Sequence, residues 1–99
     1  MLIKMKDEQR LFETVSLPLA ASVLTLVPTA QFSYIAPEPS IDGKRLIVLI
    51  YPAAQMQAVH DIVERFHNRQ LIVRLYPFNQ KLNFLRDHLL QRERSHAIQ

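Results

Sequence analysis

Two short apolar runs, each closed by Tyr-Pro and followed by residues at helical spacing, organise the second half of the chain. At an offset of 25 residues, Leu46-Ile47-Val48-Leu49-Ile50-Tyr51-Pro52-Ala53-Ala54-Gln55 aligns with Leu71-Ile72-Val73-Arg74-Leu75-Tyr76-Pro77-Phe78-Asn79-Gln80, and six of the ten positions are identical. Each run is short and rich in β-branched residues, which predicts a strand. After the first, Met56, Val59, Ile62, Val63 and Phe66 fall on one helix face; after the second, Phe78, Leu82, Leu85 and Leu89 do the same. Proline suits the joint, because it donates nothing to a strand ladder yet fits a first helical turn. The pattern predicts a βαβα unit over residues 45–99, with parallel neighbouring strands joined by a right-handed crossover.

Residues 1–44 read as a strand-rich part. Strands are expected over Ser22–Val27 and Gln31–Ile35, and Asp42-Gly43 marks the turn into the repeat. Val23 to Gln31 also lines up with Ile47 to Gln55 at an offset of 24, as a fainter third copy that keeps Pro28 and Gln31 in place. The opening segment reads either as a strand over Arg10–Ser16 or as a short helix capped by Asp7 and carrying Leu11, Phe12 and Val15; the strand is preferred. The expected fold is α/β, with an α+β-like character. It is a two-layer sandwich in which two helices cover one face of a mixed sheet of about four or five strands. The other face would expose Ile47, Leu49, Tyr51, Ile72 and Tyr76, an apolar surface that needs a cover.

Composition and charge narrow the chemistry. The 99 residues suit one small domain, and 48% hydrophobic with 21% charged residues is a globular balance. The absence of cysteine excludes disulfides, thiolate metal sites and a cysteine nucleophile. Gly43 is the single glycine, which excludes the glycine-rich phosphate loops and nucleophile elbows. Thr14 to Pro37 carries no charge, but Pro18, Pro28 and several Ser, Thr and Gln residues argue against a membrane span or a signal peptide, so a cytoplasmic protein is expected. Residues 45–99 hold eight Lys or Arg against four acids, an excess of +4, and all four histidines.

Three groups of side chains are candidates for a site. At the carboxyl edge of a parallel sheet, where ligands gather beside helix amino termini, Tyr51 and Tyr76 would stand side by side with Gln55 and Gln80 one turn into their helices. Ile47, Leu49, Ile72 and Arg74 would complete a contact surface for a partner. Arg65, Arg69, Arg92 and Arg94 would meet at the helix carboxyl ends, either serving the helix dipoles or contacting an acidic partner. His60, Glu64 and His67 share a helix flank but lack the zincin spacing, and read as a solvated face without metal. No cofactor and no catalytic residue is expected.

The leading expectation is a non-enzymatic interaction module, a homodimer or an adaptor within a larger complex, using the helix-free sheet face or an edge strand. The alternative is a nucleic-acid-associated accessory protein using the basic second half. A small enzyme with its site at the Tyr-Pro edge comes third.

Overall fold

A computed structural model describes residues 8–39 and 43–98, with side chains through residue 92. The chain is mixed α+β, and its described elements follow the order β1 (Gln9–Thr14), α1 (Leu17–Leu26), β2 (Gln31–Ile35), β3 (Ile47–Pro52), α2 (Met56–His67) and α3 (Leu75–Ile98), with a single 3-10 turn over Ala53–Gln55 before α2. Among the described residues the sheet has three strands in the order β1-β3-β2, and both outer strands run antiparallel to β3. β1 and β2 are therefore parallel to each other, and the connection through α1 leaves the slot that β3 fills. Among the described residues no helix is long and apolar enough to cross a membrane.

The expected strands over Gln31–Ile35 and at the opening of the chain form, as does the strand of the first apolar run. The Ser22–Val27 strand does not: those residues lie in or just after α1. Ser16 caps this helix, its hydroxyl accepting from the Leu19 amide at 3.2 Å, and Pro18 occupies the first turn, where no amide is needed. The Ser22 and Thr25 hydroxyls donate to the carbonyls of Pro18 and Ala21, four residues back, at 2.8 and 2.7 Å. Their polarity is thereby satisfied inside an apolar setting. Six consecutive residues, Leu19 to Leu24, are buried, so α1 is enclosed around its whole circumference.

The second apolar run also departs from expectation. Leu71–Arg74 form no ladder, and Leu75 and Tyr76 already belong to α3. Leu71 and Val73 are half-buried whereas Ile72 and Arg74 are exposed, so the alternation of a strand survives without its hydrogen bonds. Pro77 sits in the first turn of α3, and the Phe78 amide donates to the Arg74 carbonyl at 3.1 Å. The βαβα unit and the fourth and fifth strands are thus replaced by one strand and two helices, and the neighbours of β3 are antiparallel.

Register fixes which side of the sheet meets the helices. Thr14, Phe12 and Arg10 stand opposite Ile47, Leu49 and Tyr51, while Phe32 and Ile35 stand opposite Leu49 and Ile47 across β2. Ile47, Leu49 and Tyr51 join the core with Leu19, Val23, Val59, Ile62 and Leu85, so all three helices share this face. The opposite face carries Leu11, Glu13, Val48, Ile50 and Tyr34. The expected exposure of Ile47, Leu49 and Tyr51 is therefore reversed: they lie at 1%, 0% and 6%.

Candidate functional site

Tyr51 and Tyr76 do not share an edge. Tyr51 is in the core, whereas Tyr76 projects from the first turn of α3 and accepts a hydrogen bond from Gln80 Nε2 of the same helix at 3.3 Å. Gln55 closes the 3-10 turn before α2, half-buried. The parallel strand pair that would have aligned the two Tyr-Pro joints is absent, and nothing among the described residues brings them together.

The arginines divide in the same way. Arg65, in the last turn of α2, borders a groove with Leu26 at the end of α1. Arg92 donates from Nη2 to the Ile35 carbonyl at 3.3 Å, at the opposite end of β2 from the α1 connection. Arg69 follows α2 in the left-handed region, φ 60°. The Arg94 side chain lies outside the described residues. Helices set off parallel strands would have joined these cations; the antiparallel sheet places Arg65 and Arg92 at different ends.

Two surfaces stand out instead. The first is the segment between α2 and α3, where Ile72, Leu75 and Tyr76 are 87%, 73% and 74% exposed. Ile72 also lines the groove that holds Leu26 and Arg65. Of the residues expected to contact a partner, Ile72, Arg74, Tyr76 and Gln80 are thus exposed, while Ile47, Leu49 and Tyr51 are not.

The second is a cleft of about 680 Å³ between β1 and α2. Leu11 at the strand edge, with Phe12, Tyr51, Val59 and Val63, gives it an apolar lining, and His60, Glu64 and His67 line it from α2. This is the helix flank singled out in the sequence, now facing a strand edge. No group of three potential metal ligands is assembled among the described residues.

Sequence reasoning missed a third feature. Phe32 of β2 packs on α3, its ring 5.5 Å from Phe84 edge-on and 4.6 Å from His88. His88 Nδ1 is 2.9 Å from the Phe84 carbonyl, so that nitrogen carries the proton and donates. The spacing of Phe84 and His88 by four was visible as a helix pair, but only the fold brings Phe32 to them.

No protein-family model, curated protein or solved structure matches this chain.

Proposed function

We propose that this chain is a non-catalytic protein-interaction module, with the segment between α2 and α3 as a contact surface. The observation that carries the reading is the exposure of Ile72, Leu75 and Tyr76 within five residues, outside the core that the three helices and the sheet complete. Water-exposed apolar side chains grouped in this way gain free energy when a partner covers them, about 25 cal/mol for each Å² of apolar surface removed from water. The flanking Arg65 and Arg74 supply a polar rim, as interfaces usually have.

The test is light scattering and fluorescence of an apolar dye on the full chain across a wide concentration range. Assemblies heavier than the 11.6 kDa chain are expected, with dye emission that falls several-fold in Ile72→Glu/Leu75→Glu while far-UV circular dichroism is unchanged. A chain that stays monomeric throughout and binds no dye overturns the reading. The nucleic-acid alternative would draw on the basic second half, in which Arg65 borders the end of α1 and Arg92 the end of β2.

A further inference from the structure

We propose that β1 pairs antiparallel with β1 of a second copy of this chain, joining two three-stranded sheets into one of six strands and filling the cleft beside α2. This rests on the interaction reading above and names one partner as the chain itself.

The two edges of the sheet are treated differently. β2 carries a bulge between Phe32 and Tyr34, its final carbonyl accepts from Arg92, and Phe32 packs edge-on against Phe84 of α3. Those devices hinder edge pairing. β1 pairs without interruption from Gln9↔Pro52 to Thr14↔Ile47 and, among the described residues, has no strand on its other side.

Its hydrogen-bond phase defines what that edge offers. The Ala53 amide donates to the Glu8 carbonyl at 3.0 Å, so Glu8, Arg10, Phe12 and Thr14 face β3. Pro52, which has no N–H, accordingly lies opposite Gln9. The amides and carbonyls of Gln9, Leu11 and Glu13 point outward, where a new strand would bond them.

A two-fold axis through Leu11 satisfies all of them at once. It pairs Leu11 with Leu11, Gln9 with Glu13, Arg10 with Phe12 and Glu8 with Thr14, overlapping the whole of residues 8–14. No like charges stand directly opposite each other. On the face opposite the core the two Leu11 side chains, each 59% exposed in the single chain, cover one another. On the other face the second copy's Phe12 and Arg10 enter the cleft. There Phe12 meets the Val59 and Val63 lining, and the Arg10 guanidinium meets the Glu64 carboxylate. A slip of two residues sets Leu11 against Glu13 and loses both the apolar pair and the full overlap.

The full chain should scatter light as a dimer of the 11.6 kDa chain. Leu11→Pro removes an amide that plays no part in the β1–β3 ladder, and is expected to give a monomer with unchanged circular dichroism. The chain has no cysteine, so Leu11→Cys reports the contact directly. Hydrogen-bonded antiparallel partners sit about 5.5 Å apart between Cα atoms, within disulfide range. Mild oxidation should convert Leu11→Cys to a covalent dimer. Gln9→Cys alone should not crosslink, and should do so when mixed with Glu13→Cys. Failure of Leu11→Cys to crosslink, or a wild-type chain that remains monomeric, overturns the proposal, and if Leu11→Pro unfolds the crosslink decides. Association that survives Leu11→Pro but is lost in Ile72→Glu/Leu75→Glu overturns the β1 contact and leaves the interaction reading standing. Monomers throughout with no dye binding overturn both.

Discussion

Arg69 occupies a backbone position that glycine fills more cheaply. The α2 helix ends with the Gln70 amide donating to the Arg65 carbonyl at 2.8 Å and the Arg69 amide to the Phe66 carbonyl at 3.1 Å. That pair of bonds requires a left-handed residue at Arg69, where a Cβ meets the following carbonyl. Arg69→Gly should therefore stabilise the fold by about 1 kcal/mol, read as a higher urea midpoint. At the other extreme, Leu85 is fully buried where α3 joins the core. Leu85→Ala should cost roughly 2–5 kcal/mol by the same measurement. The burial of Leu85, with Phe78, Leu82 and Leu89 packed beside it, was readable from their spacing alone. The conformation of Arg69 was not, because the helix-ending bonds impose it and the residue type argues against it.

The helix α1 shows how local composition can mislead. Val23 to Val27 is apolar and rich in β-branched residues, which suggested a strand, and burial on every side removed the periodicity that marks an amphipathic helix. The helix signals were nonetheless present in Ser16, Pro18 and the pair Ala20-Ala21, both of which are fully buried. Small side chains there let the surrounding elements approach closely. Ala21→Leu should accordingly destabilise the chain by about 1–3 kcal/mol, seen in thermal melting followed by circular dichroism. The repeated apolar run carries the complementary lesson. In one copy Leu49 faces the core between two paired strands; in the other Arg74 takes its place, no ladder forms, and the chain turns into α3. Six shared residues specify the proline joint but not the strand, since pairing partners lie elsewhere in the sequence.

Across the molecule, the candidate surfaces follow from which face of the sheet the helices cover. Ile72 and Tyr76 were foreseeable as exposed apolar residues, whereas the cleft beside α2 depends on β1 becoming an edge. Amide exchange offers an independent check on that edge. Amides of β3 should exchange slowest, being held between two strands, while those of Gln9, Leu11 and Glu13 should exchange slowly only where the dimer is populated and quicken on dilution. Exchange at these three positions that ignores concentration would contradict pairing through β1.

The enclosure of α1 also bears on how the chain emerges from a ribosome. Its greasy surface is sealed in large part by α3, whose buried Leu85 is synthesised about 60 residues after α1 is complete. At roughly 5–20 residues per second, that leaves several seconds in which the nascent amino-terminal half cannot hide its most apolar segment. A fragment ending before Leu75 should consequently precipitate or bind a chaperone, and adding a peptide of residues 75–98 in trans should restore its solubility.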